Sequence, residues 1–137
     1  MNFENSLVNG KAKKVLPNKI RASSLLKSSI QAVETAIIIS LNQNTLKSIL
    51  RELYEGLRES CEAIGYLRGY KFLDHESIGY FLRDILKEQS LFMKFDRYRK
   101  LRNGINYYGK DIDIETVKEA IIEIPKLIKE LEKFTKD

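Results

Sequence analysis

The sequence predicts an all-α, up-and-down helical bundle of four long or medium helices and one short one. Two observations carry that expectation: apolar residues recur at helical spacings from residue 19 to residue 134, and good capping residues stand where the runs begin. A third is that no stretch alternates apolar and polar residues as a strand does, and no internal repeat or low-complexity segment interrupts the pattern. A chain of 137 residues suits a single domain. We place that domain at residues 19–137, behind an N-terminal extension of residues 1–18.

In the extension Leu7, Val8, Val15 and Leu16 are scattered and Gly10 interrupts them, so no more than a short helical turn is expected. Lys11, Lys13 and Lys14 read as a solvated basic group. Pro17 or Asn18 enters the first long helix, Lys19 to about Leu41, where Ile20, Leu26, Ile30, Val33, Ile37 and Leu41 follow helical spacing. Ala32, Ala36 and the serines Ser23, Ser24, Ser28 and Ser29 leave one flank small, which lets a neighbouring helix approach closely. Asn42-Gln43-Asn44 breaks this helix, and Asn44 or Thr45 caps the next, Thr45 to about Tyr70. Its seam Leu46, Leu50, Leu53, Leu57, Ser60, Ile64 and Leu67 is coiled-coil-like, and the short connection makes the first helix its antiparallel partner. Cys61 falls on the apolar face and is expected to be a buried thiol. Arg51/Glu55 and Arg58/Glu62 read as solvated pairs, with Arg58 or Glu59 as candidate additions to a cleft.

Residues 69 to 76 read as a helix end, a turn and a cap, Asp74 or His75 preceding a helix from Glu76 to about Lys87 with the stripe Ile78, Phe81, Leu82, Ile85 and Leu86. A helix from Phe92 to about Tyr108 follows, stopped by Gly109. Asp111 or Asp113 then caps the last helix, about Ile114 to Thr135, where Pro125 predicts a kink or a break just before it.

Composition narrows the function classes. The longest apolar run, Ala36 to Ile39, is far too short to cross a bilayer, and the start of the chain lacks the pattern of a secretory signal, so a cytoplasmic protein with no membrane partner is expected. One cysteine and one histidine supply neither an internal disulfide nor a Cys/His zinc set. No phosphate-cradling glycine loop, paired-carboxylate motif or nucleophile elbow appears, and no metal or other cofactor is called for. A net charge of +5 and a pI near 9.2 are compatible with nucleic acid without requiring it.

The chemistry gathers between Lys94 and Lys110, where six Lys/Arg face one Asp among three tyrosines and two asparagines. Such a mixture holds phosphate together with base or ribose. On a helical wheel Tyr98, Leu101, Ile105 and Tyr108 share an apolar sector, while Arg99, Arg102, Asn103 and Asn106 share the neighbouring polar one. Tyr98 and Tyr108 are therefore expected in the core. Arginine offers phosphate oxygens a planar fork and stays charged, whereas the two asparagines position without exchanging protons. Tyr107 stands ~140° from Arg102 by the helical period, off the arginine face unless the helix unwinds before Gly109. His75, the one side chain that titrates near neutrality, reads as a cap or surface residue. Only a folded-back loop or a dimer would bring it to Arg102.

Residues Tyr98 to Gly109 resemble the signature of the HEPN domain family, an Arg followed after four to six residues by His, often with Asn directly after the Arg and Tyr nearby. Arg102-Asn103 matches the first half. The second half departs from it, with Asn106-Tyr107-Tyr108 where the His is expected. The turn Gly69-Tyr70-Lys71 followed by an acidic and His-containing helix start is also similar to small HEPN proteins. The resemblance implies a helical homodimer whose protomers line a shared cleft, and in active members metal-free RNA cleavage. It also implies a place as the toxin-like half of a toxin–antitoxin pair beside a minimal nucleotidyltransferase. The reading that follows is an RNA- or nucleotide-binding cleft of Arg99, Arg102, Asn103, Asn106 and Tyr107, with Arg102 and Tyr107 as candidate catalytic residues and catalysis weak or absent. Two alternatives stand beside it: a non-catalytic protein-interaction bundle, and a metal-independent endoribonuclease using Tyr107 or His75 for proton transfer.

Overall fold

The computed structural model describes residues 1–136, and it is an all-α bundle with a small two-stranded sheet at one end. The elements run α1 (Phe3–Val8), β1 (Ala12–Lys14), α2 (Lys19–Ile38), α3 (Leu46–Arg68), β2 (Tyr70–Phe72), α4 (His75–Asp84), α5 (Gln89–Tyr108) and α6 (Ile114–Leu131), with a closing 3-10 turn, Glu132–Phe134. No helix among the described residues is long and apolar enough to cross a membrane.

Helix α3 is the axis of the bundle. Its seam residues Leu46, Leu50, Leu53, Leu57 and Ile64 are buried, as is Cys61. Helices α2 and α6 pack along it, and α4, α5 and β2 close its other side. The α2 contact is made by the small flank of that helix: Ala22, Ser29, Ala32 and Ala36 are buried, while Ile20 and Ile38 are 83% and 81% exposed. Ser29 Oγ donates to the Gly56 carbonyl at 2.7 Å and stands 2.7 Å from Ser60 Oγ, so the buried hydroxyls satisfy each other. A Cβ added at Gly56 would lie 2.9 Å from Val33 Cγ2 and 3.0 Å from the Ser29 carbonyl oxygen. Gly56→Ala is accordingly expected to lower stability by about 1–2 kcal/mol in urea unfolding, overcrowding outweighing the gain in helix propensity.

Caps set the helix boundaries. Asn18, Asp74 and Asp113 accept the N–H of Arg21, Ser77 and Thr116 at 2.9, 2.9 and 2.8 Å. Gly69 and Gly109 end α3 and α5 in left-handed conformation, φ 84° and 61°. Three expectations are corrected. Helix α2 stops at Ile38, three residues short of Leu41, because Ile39 turns extended and Thr45 Oγ1 donates to the Ser40 carbonyl at 2.6 Å to close a side-chain turn. Of the kink or break expected at Pro125, the break is absent, because helix α6 runs through it; the ring removes one ladder bond, and the buried neighbours Ile124 and Leu127 hold the turn in place.

The third correction is the sheet, β1 pairing antiparallel with β2 in the register Ala12↔Phe72, Lys13↔Lys71, Lys14↔Tyr70. The residues assigned to an extension are thereby joined to the body: Phe3 and Ala12 are buried, and the Phe3 N–H donates to Asp84 Oδ2 at 2.8 Å. Lys11, Lys13 and Lys14 sit on and beside a paired strand. Gly69 is required at the join twice over, by its positive φ and because a Cβ would come within 2.8 Å of the Val15 carbonyl oxygen. The sheet sets the start of α4, since Leu73 N–H and Ser77 Oγ both donate to the Lys11 carbonyl, at 2.8 and 3.2 Å.

Candidate functional site

Where the start of α4 meets the middle of α5, over α3, an open cleft of about 420 Å³ is lined by Leu73, Asp74, His75, Glu76, Arg99, Arg102, Asn103 and Tyr107. His75 is the first residue of α4, held there by the Asp74 cap and by the sheet. The folded-back turn delivers its ring to α5. Arg102 Nη2 contacts His75 Nδ1, and Tyr54 Oη from α3 lies 3.0 Å from the same nitrogen. The guanidinium also stacks over the Tyr54 ring at 5.0 Å and reaches Tyr107 Oη through Nη1 at 3.2 Å. No carboxylate pairs with Arg102 among the described residues, and its buried Nε has no hydrogen-bond partner.

Electrostatics follow from these contacts. Burial, then the positive charges of Arg102 and Arg58, pull His75 down to about 4, so the ring is neutral at pH 7. Burial pushes the Tyr54 phenol up to about 12, which keeps it protonated. Arg58 is itself clamped between Glu55 and Glu62 on α3. Its predicted i,i+4 pair with Glu62 is thus present, while Arg51 turns from Glu55 to donate from Nε to Asn106 Oδ1 at 2.7 Å. Glu59 is buried on α3, away from the cleft lining, and burial raises its carboxyl above the usual range.

The sequence-predicted residues divide. Arg99, Arg102, Asn103 and Tyr107 all line the cleft. Arg99, however, is committed to Asp96, with Nε and Nη2 at 2.9 and 2.8 Å from Oδ1, and has Glu76 at 3.8 Å. Asn106 is exposed and spent on Arg51, outside the cleft lining. Tyr107 is 68% exposed but long enough to lean its hydroxyl onto Arg102 without any unwinding, since α5 runs to Tyr108. Tyr98 is buried and donates to Glu123 Oε1 at 2.6 Å, whereas Tyr108, expected in the core, is 75% exposed. Ile105 is the last buried side chain of α5, so the final turn carries both tyrosines past its neighbours. Tyr54 is missed by the sequence reading, since nothing local signals a buried hydroxyl aimed at His75.

Chemically, the cleft offers one guanidinium that no carboxylate of the described residues pairs with, one neutral imidazole touching it, and amide and phenol donors at the rim. That is a set suited to a phosphate group and to moving a proton beside it. Fold and site together define an all-α bundle with an arginine–histidine cleft. Comparison with family models, with characterised proteins and with solved structures finds no match to this chain.

Proposed function

We propose that the protein is a HEPN-like, homodimeric RNA- or nucleotide-binding protein whose cleft grips phosphate through Arg102. The observation that carries this reading is the state of that guanidinium: it has no carboxylate partner among the described residues, its Nε donor is unused, and its side chain lines an open polar cleft. A phosphate oxygen that draws the side chain toward the cleft supplies the acceptor its Nε lacks. Asn103 and Tyr107 stand beside it to position the ligand, while Arg99, neutralised by Asp96, contributes less than its sequence position suggests. The HEPN resemblance of Tyr98 to Gly109 supports the dimer and a toxin-like role beside a minimal nucleotidyltransferase. The large apolar side chains that α2 leaves in solvent, Ile20, Ile30, Ile37 and Ile38, support a protein partner of some kind.

A specific observation favours metal-independent endoribonuclease activity as a second reading. His75 touches Arg102, so the proton-transfer group missing from the signature helix is available from α4. The experiment is binding and cleavage of labelled single-stranded RNA at two salt concentrations with EDTA throughout, for wild type and Arg102→Ala. Expected are salt-sensitive binding and a loss of about tenfold in affinity with a shallower salt slope in the variant. Cleavage lost in the variant would select the second reading. Absence of salt-sensitive binding in the wild type would sink both and leave a protein-interaction bundle.

A further inference from the structure

The contact between Arg102 and His75 is of an unusual kind, because a permanent cation is set against a ring that could itself become one. A guanidinium only donates, so its approach to Nδ1 means that this nitrogen bears a lone pair and that the neutral ring carries its proton on Nε2. A proton placed on Nδ1 would set one N–H against another. Tyr54 imposes no such restriction, since its hydroxyl, 3.0 Å from Nδ1, donates to the bare nitrogen or accepts from a protonated one. Arg102 in its present place and a proton on Nδ1 are therefore mutually exclusive, while Tyr54 steadies the ring in both states. The charged groups that act on the ring are divided: Arg102 from α5 and Arg58 from α3 oppose the imidazolium, Glu55 from α3 and Asp74 at the α4 cap favour it, and Arg102 acts most strongly of the four.

The second observation is the unpartnered, buried Nε of the same guanidinium. Arg102 uses one edge on a neutral imidazole and leaves another donor buried and idle, on a side chain that lines an open cleft. An anion satisfies these donors better than the ring does.

Resting on phosphate binding as read above, we propose that Arg102 and His75 form an exchange pair: a phosphodiester entering the cleft draws the guanidinium from His75 Nδ1, and the freed imidazole takes up a proton there from solvent. His75 then becomes the proton-carrying group at the bound phosphate. In the empty cleft it is masked. Binding and proton uptake are linked, so affinity rises as pH falls through the bound-state value of His75 and levels off near the free-state value of about 4.

The protein has one histidine, which makes the test direct. The imidazole resonances of ¹⁵N,¹³C-labelled protein are followed against pH, alone and saturated with a short 2′-O-methylated oligonucleotide, which cannot be cleaved through its 2′ oxygen and whose diesters do not titrate in this range. Affinity is measured in parallel by fluorescence anisotropy. Expected are titration near 4 in the free protein, an upward shift of more than about one pH unit with the oligonucleotide, and affinity gaining up to about tenfold per pH unit within the window. Arg102→Ala in the free protein is expected to raise the titration by itself, and Arg102→Gln serves if the alanine variant does not fold. Binding with an unmoved histidine titration, or an unmoved titration in the folded variants, would overturn the exchange pair and leave phosphate binding intact. Flat anisotropy at every pH would overturn both.

Discussion

Phe81→Ala is expected to lower the unfolding free energy by about 3–5 kcal/mol, the range for emptying a large aromatic site in a packed core. Its ring is fully buried and meets Phe3, Tyr70 and Phe72 edge-on, at centroid separations of 5.5, 5.7 and 5.2 Å. Those three partners come from α1 and β2, so one side chain joins the N-terminal segment, the sheet and α4. Edge-to-face pairs add to the burial term, and the ring of neighbours is too mutually braced to collapse into the space. Because domains of this size are marginally stable, the loss is a large part of the total. It is measured by urea unfolding. The same variant is expected to speed amide exchange at the start of α4, since β2 and the α4 cap lose their common support there. A loss below about 1 kcal/mol would show that the N-terminal segment is not part of the cooperative unit.

That segment marks the limit of what the chain makes legible. The long helices are written locally, in spacing and caps: Asn18, Asp74, Asp113, Gly69 and Gly109 do what their residue types favour. The seam of α3 is buried as its spacing predicts. The sheet is not written locally. Ala12–Lys14 and Tyr70–Phe72 are too short to show alternation, and their pairing depends on residues far apart in sequence. The site is legible to the same degree. Arg102, Asn103 and Tyr107 stand out by type and crowding on one helix, and they do share a cleft. Helical phase misjudges Tyr107, because a wheel records where a side chain leaves the backbone and a tyrosine reaches well beyond that point. Arg99 and Asn106 lie on the expected face, yet Asp96 and Arg51 occupy them. A wheel does not show such partners. His75 looks like an ordinary helix-start residue until the β2 turn lays it against α5, and only tertiary structure carries that step.

His75 also makes the fold acid-sensitive, with a sign that the structure fixes. Its folded-state value, about 4, lies below the ordinary 6.5, so between those values the unfolded chain binds the proton and the folded chain does not. The stability contributed by the neutral, hydrogen-bonded ring is complete above 6.5, declines as pH falls, and is gone below about 4. The full interval, discounted for solvent screening of a half-buried ring, corresponds to about 2 kcal/mol. Glu59 acts in the opposite sense, since a buried carboxyl with a raised value favours the folded state as pH falls. A bare stability profile therefore mixes the two, and the informative quantity is the difference between wild type and His75→Gln. Glutamine keeps an acceptor for Tyr54 and Arg102 and cannot titrate. The difference in unfolding free energy is expected to be level above pH 6.5 and to shift against the wild type by about 2 kcal/mol on descending to pH 4. A level difference over the whole range would mean that the ring titrates alike in both states, so that neither its burial nor the Arg102 contact disfavours the imidazolium.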